Sequence, residues 1–455
     1  MKIAVIGAGV AGLGAAWLLS RKHDVVVYER EGRFGGHSCT VDAPTPAGRQ
    51  PVDVGFIVFN QRNYPNLVAL FDHLGVPTET SDMSFAASLD HGRFEYGSSF
   101  ASYFAQRRNV MRPSFLRMTR DILRFNRLAP RLLERCENLD FTIGDFVDDA
   151  GLSHAFRDRY LVPMAACIWS TPLGRMLDYP AQTFVRFFNN HGLLTVGPQL
   201  NWRTVSGGSR SYVERIVAPL RQRARLGMPA SAIRRDAGGV RVRDMAGHWD
   251  RFDKVVLACH ADQALALLGD ADGSERDLLG RFAYSSNEVW LHADPSLMPR
   301  RRSVWSSWNY VADTLDRDSP VSVTYWMNRL QNLPETTPLF VSVNPGRAPL
   351  PATAHARFTF DHPMYDAAAI RAQRDLHRIQ GVRDTYFCGS YCGYGFHEDA
   401  LAAGLDVAEQ LGVHRPWARP GEHRRVGDPP RVVADKPSLN PLPLPVAARL
   451  ATELS

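Results

Sequence analysis

Lysine is close to absent from this chain. In 455 residues it occurs only at Lys2, Lys22, Lys254 and Lys436, so the net charge of +6 is carried almost wholly by arginine. A basic surface of this kind attracts nucleic acid, anionic membrane or acidic substrates, and composition does not choose among them. Cysteine is also sparse. Cys39, Cys136, Cys167, Cys259, Cys388 and Cys392 stand singly, without a CxxC pair or paired histidine spacing, so neither a disulfide framework nor a zinc site is indicated and a reducing cytoplasm fits best. Beyond the first twenty residues no apolar run approaches the ~18 residues of a membrane span, so no transmembrane helix is expected. No internal repeat is present. With 45% hydrophobic and 22% charged residues the chain is neither disordered nor collagen-like, and its length suits two or three domains.

What is present begins at the N-terminus. Residues 3 to 20 carry no charge and could imitate a signal peptide, but glycines interrupt them. Lys2-Ile-Ala-Val-Ile6 reads as a buried strand, Gly7-Ala-Gly9-Val-Ala-Gly12 as a turn entering a helix that runs through Leu19, and Val25-Val-Val-Tyr-Glu29 as a second strand. A dinucleotide pyrophosphate needs open N–H donors at a helix start and close approach of the main chain. Gly7 supplies the turn, Gly9 the approach and Gly12 the helix-to-sheet packing. Glu29 ends the second strand, where a carboxylate can accept the ribose hydroxyls, and Arg30 follows it.

The next loop, Arg33-Phe-Gly35-Gly36-His37, resembles that of the flavin amine oxidase superfamily, with His37 in place of the family's arginine. The resemblance continues in Val52-Asp-Val-Gly55-Phe56 with Ile57 next, in Gly207-Gly-Ser209, in Pro229-Ala230-Ser-Ala-Ile233 and in Val255-Val-Leu-Ala258. It closes with Phe387-Cys-Gly389-Ser390 and with the segment from Gly395 to Gly404, which includes Phe396, His397, Glu398 and Ala400. The resemblance implies an α/β fold: a Rossmann-type FAD-binding domain with a discontinuous α+β substrate domain, amine-oxidase-like. FAD, bound non-covalently, is the expected cofactor, and NAD alone is the alternative. Family topology places the FAD domain in residues 1–80, 205–275 and 380–412, the substrate domain in 81–204 and 276–379, and a tail in 413–455. From Pro416 onward that tail holds eight prolines in forty residues and is expected to be extended or disordered. A helix start near Phe396 would turn N–H groups and a positive dipole end toward the flavin.

Many relatives hold a water at the flavin with a lysine, and none of the four lysines here falls in a substrate-domain strand, so that device is expected to be missing. Phe396 takes the place of a cage aromatic without a hydroxyl, which weakens an amine reading. Hydride removal followed by alkene formation needs a base. The candidates are His397, Glu398, His191 and Tyr325, each also readable as a packed or capping group; Trp326 and Asn328 are further pocket candidates, and His260 is a loop residue near the cofactor.

A closer resemblance is to a bacterial subgroup of predicted NAD/FAD-binding proteins related to amine oxidases. It is carried by Gly55-Phe-Ile-Val-Phe-Asn60, Ile168-Trp-Ser-Thr-Pro172, Phe187-Phe-Asn-Asn-His-Gly192, the stretch from Trp202 to Arg210, Ala258-Cys-His-Ala-Asp262 and the stretch from Cys392 to Glu398. Members are associated with cyclopropane-synthase-like methyltransferases of phospholipid acyl chains, which makes such a methyltransferase a candidate partner. The implied function is an FAD-dependent desaturase of methylated acyl chains. A small-amine oxidase, another FAD dehydrogenase and a non-catalytic partner of the methyltransferase are the alternatives.

Outside these blocks, residues 100–136 hold nine arginines against Asp121 and Glu134, interleaved with apolar residues. The segment reads either as an amphipathic surface for anionic membrane, docking through Arg107 to Arg135 with Phe115, Leu116 and Met118 inserted, or as a solvated helix. Nucleic acid is not expected, since no recognisable binding module accompanies the charge.

Overall fold

The computed structural model describes residues 1–169, 172–194, 200–314 and 322–418. A five-stranded parallel sheet runs in the order Ala224–Arg225, Asp24–Tyr28, Lys2–Ile6, Lys254–Leu257, Thr385–Phe387. Its central strands are apolar on both faces because both are covered, one by helices including Val10–Leu19 and His397–Gln410, the other by the antiparallel strands Ala230–Asp236, Gly239–Asp244 and Trp249–Phe252 together with the helices Ala261–Leu267 and Gly273–Leu279. Val10–Leu19 is buried at all ten positions. That explains the charge-free N-terminus: the helix lies between the sheet and the closing helix His397–Gln410, not in a membrane. Among the described residues no helix is long and apolar enough to cross a bilayer.

A second sheet of seven strands is drawn from residues 85–97 and 283–364, in the order Ala354–Met364, Ala283–His292, Phe340–Val343, Val323–Trp326, Trp308–Ala312, Phe85–Leu89, Phe94–Gly97. It is antiparallel except where Trp308–Ala312 meets Phe85–Leu89. Helices from residues 113–190 pack on it in one aromatic-rich core. The alternating stretch that starts at Ser303 is strand only from Trp308 on, since Arg302–Val304 forms a 3-10 turn. The stretch ending at Asn328 leaves the sheet at Met327, where Met327–Leu330 makes a helical turn. The proline-rich tail from residue 419 onward, Lys436, and Ser170 and Thr171 of the subgroup motif lie outside the described residues.

The arginine-rich segment is a 3-10 turn Arg107–Met111, a helix Pro113–Leu128 and a second turn Ala129–Glu134. Phe115 and Met118 do not face outward as a membrane-inserting pair would. They are 1% and 0% exposed, on the helix face that also buries Phe125, because a sixteen-residue helix must spend one stripe on the core.

The first and closing helices meet at glycines. A Cβ on Gly404 would stand 2.0 Å from the Ala11 carbonyl oxygen, and one on Gly14 2.7 Å from Leu401. Gly404→Ala is therefore expected to destabilise the protein by about 1–3 kcal/mol. Denaturant unfolding checks this, and an unchanged midpoint would contradict the contact.

Candidate functional site

One cavity of about 870 Å³ runs from the parallel sheet into the second sheet. At one end are Gly7, Gly9, Glu29, Arg30, Gly35 and Gly36; along its length are His37, Gly55, Phe56, Ile57, Ala230, Gly389, Ser390, Phe396, His397 and Ala400. His191 and Tyr325 line its far part, and His260 its wall, so most of the residues singled out from the sequence share one space.

The two helix starts converge on it. Gly9 caps Val10–Leu19 with no side-chain hydrogen bond, and Phe396 caps His397–Gln410. A Cβ built on Gly9 meets no protein atom within 4 Å, so nothing in the fold itself forbids a side chain there; the empty direction faces the cavity. Gly12 does not line the cavity. A Cβ there would strike the Gly7 carbonyl oxygen at 1.9 Å, which is the packing role its spacing indicates. Glu29 accepts the Ala8 N–H at 2.6 Å and the Glu31 N–H at 2.8 Å, tying the glycine turn to the following loop. Among the described residues His37 Nε2, at this wall, is a buried nitrogen without a hydrogen-bond partner. An open helix start, an unfilled glycine and an orphaned ring nitrogen along one channel fit a dinucleotide with a polar ring system, as FAD has.

Two assignments change. Arg33 is not a cavity residue: its guanidinium donates to the Gly36 carbonyl oxygen at 2.8 Å and pairs with Glu31 at 2.8 Å, so it shapes the loop. Glu398 does not line the cavity. Its carboxylate accepts the Asn66 N–H at 2.9 Å, the Asn66 side-chain amide at 2.7 Å and the Leu67 N–H at 2.9 Å, capping the helix Pro65–Leu74. Burial pushes it up to about 7 while these N–H donors pull it down.

The histidines of the cavity are held neutral. Burial lowers His397 to about 3; its ring stacks on Phe56 at 3.9 Å, and its Nε2 lies 2.7 Å from the Tyr212 hydroxyl. Burial likewise lowers His362 to about 4, and Asn287 donates its amide to Nδ1 at 2.9 Å, which leaves the hydrogen on Nε2. His191 is lowered to about 4 by burial. Its Nδ1 lies 2.9 Å from the Phe187 carbonyl oxygen, a pure acceptor, so Nδ1 carries the hydrogen and Nε2 the lone pair.

Trp308 and the stacking between site aromatics escaped the sequence reading. The expected residues Phe396 and His191 join Phe187 and Trp202 in a run of ring stacks, with centroids 4.9 Å (Phe396–Phe187), 3.8 Å (Phe187–His191) and 6.3 Å (His191–Trp202) apart. Tyr325 meets Trp308 edge-on at 4.9 Å, and the Trp308 indole N–H is buried without a partner among the described residues. The helix Ala181–Asn190, the strand Trp202–Val205 and the start of the closing helix meet only in the tertiary fold, and Trp308 meets Tyr325 by strand pairing, none of which leaves a local signal; only the aromatic density hinted at it.

Among known proteins, the family model for flavin containing amine oxidoreductase matches residues 10–330. The fold is similar to a fatty acid isomerase from P. acnes that produces CLA, at 17% identity, covering 90% of this chain and 98% of that one with a TM-score of 0.65. It is also similar to a putrescine oxidase with redesigned cofactor binding (16%, 90% and 98%, 0.67) and to cyclohexylamine oxidase from Brevibacterium oxydans (16%, 90% and 99%, 0.65). No curated protein matches the sequence. The chain belongs to the flavin-containing amine oxidoreductase family and is an FAD-dependent oxidoreductase.

Gly9→Val is expected to fold with the parent's thermal midpoint in the FAD-free form yet to lose FAD binding by tenfold or more, since its side chain fills only ligand space. Fluorescence titration of apoprotein with FAD checks this, and parental affinity would contradict the assignment.

Proposed function

We propose that this oxidoreductase of the amine oxidase family removes a hydride and a proton from an apolar chain, acting as a desaturase of phospholipid acyl groups, methylated ones in particular. One observation carries the reading: among the described residues the substrate half of the cavity is lined by no charged side chain. Its wall is Met83, Phe85, Met164, Ile168, Trp308 and Val343, with Tyr325 and His191 as polar members. The charged groups of the lining are Glu29, Arg30, Glu31 and Asp361, and Asp361 acts electrostatically on His260, as Arg30 does, toward the nucleotide end. An ammonium substrate buried without a carboxylate loses its hydration for little return, whereas an alkyl chain gains about 0.8 kcal/mol per buried CH₂.

Bound FAD supplies the hydride acceptor. His191 is the base in this reading. The Phe187 carbonyl fixes its tautomer and orientation, and its Nε2 lone pair takes the proton from the carbon next to the one that gives up hydride, so that the electron pair of that C–H bond becomes the new double bond. The Tyr325 hydroxyl, pushed up by burial, stays protonated, and with the Trp308 N–H it offers two neutral donors suited to a substrate carbonyl or hydroxyl oxygen. The resemblance to proteins associated with acyl-chain methyltransferases supports a methylated acyl group as substrate and such a methyltransferase as partner.

Lipid extracts of cells with and without the gene are expected to differ by two hydrogens on acyl chains in mass spectra; identical profiles would contradict the reading. In the isolated enzyme, His191→Phe should retain FAD and slow substrate-dependent flavin reduction by about 10²–10⁴. Because burial holds His191 near 4, its neutral form persists down to that pH, and the rate should show no limb near 6.5.

A further inference from the structure

The helix Pro113–Leu128 has a second face that the catalytic reading does not use. Leu116, Arg120, Leu123 and Arg127 fall at positions i, i+4, i+7 and i+11 on its exposed side, with Arg117 beside them. Ahead of the helix Met111 is 87% exposed and Phe100 65%, and Leu116 is 53% exposed. The helix's single acid, Asp121, is 0% exposed; Arg120 and Arg124 bond to it, and it accepts the Ser153 N–H at 2.9 Å. Arg117, Arg127 and Arg131 make no ion pair among the described residues. An ordinary solvated helix mixes charges of both signs with few exposed apolar side chains. Here the outward side of the helix offers arginine and large apolar groups together, its own carboxylate is turned inward, and the one exposed acid of the segment, Glu134, lies in the turn after it.

We propose that this surface seats the enzyme on an anionic lipid bilayer, with Met111, Phe100 and Leu116 entering the headgroup region and the arginines meeting lipid phosphates. Charge complementarity selects the occupant: a neutral protein partner would leave the arginines uncompensated, and nucleic acid would leave the apolar side chains exposed. The inward face links this surface to the site. Phe125 packs edge-on against Phe188 at 6.4 Å, next in sequence to the cavity residue Phe187. The proposal does not depend on the acyl-chain reading, because bilayer docking is compatible with any substrate.

The test is co-sedimentation of the FAD-loaded full chain with vesicles of phosphatidylcholine alone and of phosphatidylcholine mixed with phosphatidylglycerol. Binding should require phosphatidylglycerol and fall as salt is raised. The triple variant Arg117→Glu, Arg127→Glu, Arg131→Glu should lose about tenfold or more in partitioning. Arg124 is left in place because it also donates to the Ala150 and Gly151 carbonyl oxygens. A charge-matched control, Arg221→Glu, Arg243→Glu, Arg276→Glu on the FAD-binding side, should bind as the parent does, and Met111→Ala with Leu116→Ala should weaken binding without changing its salt dependence. Flavin absorption and the thermal midpoint confirm that each variant is folded. Parental binding by the first triple variant, equal loss in the control, binding to neutral vesicles alone, or tighter binding to a DNA duplex than to anionic vesicles would each overturn the proposal.

Discussion

The architecture depends on one contact, the backbone-close approach of the first helix and the closing helix at Ala11 and Gly404. The two segments are nearly 400 residues apart in sequence, and both helices start at the same cavity wall. A side chain at that crossing would push the helices apart and move Phe396 and His397 away from the glycine turn. The absence of polar residues from Val10–Leu19 follows from the same contact, since a helix enclosed by sheet and helix has no face left for water.

With the helices fixed, the cavity acquires a gradient of polarity. Its nucleotide end holds Glu29, Arg30 and open helix-start N–H groups; its far end holds rings and aliphatic chains. Burial keeps His191, His362 and His397 neutral, so the histidines act there as directed donors, acceptors or ring surfaces and add no charge. Such a channel suits an anionic dinucleotide at one side and, in the proposed reading, an uncharged molecule at the other. The buried Asp53, which accepts bonds from Thr40, Ser209 and Gln331, ties loops of the two sheets together without entering the cavity.

The parts legible in the sequence were those with local periodicity or a short motif. The Gly7-to-Glu29 unit, the glycine pair at Gly35 and Gly36 and the helix start at Phe396 read correctly because each is a contiguous backbone device. Glu398 misled because a carboxylate next to a cofactor-facing residue looks chemical, while its partners, Asn66 and Leu67, lie more than 300 residues away. Phe115 and Met118 misled because a dense run of arginines hides which stripe of a helix is inward. The wall made by Trp308 and Tyr325 needs the pairing of two strands, which no single segment announces.

The central claim is that the hydride donor is an uncharged chain. Anaerobic mixing of the FAD-loaded enzyme with matched donors tests it directly: phospholipids carrying methylated acyl chains in mixed micelles, against primary and secondary alkylamines of equal chain length. The account predicts bleaching of the flavin absorption by the acyl lipids, with appearance of the dehydrogenated acyl chain, and none by the amines. Rapid bleaching by the amines with none by the lipids would contradict it.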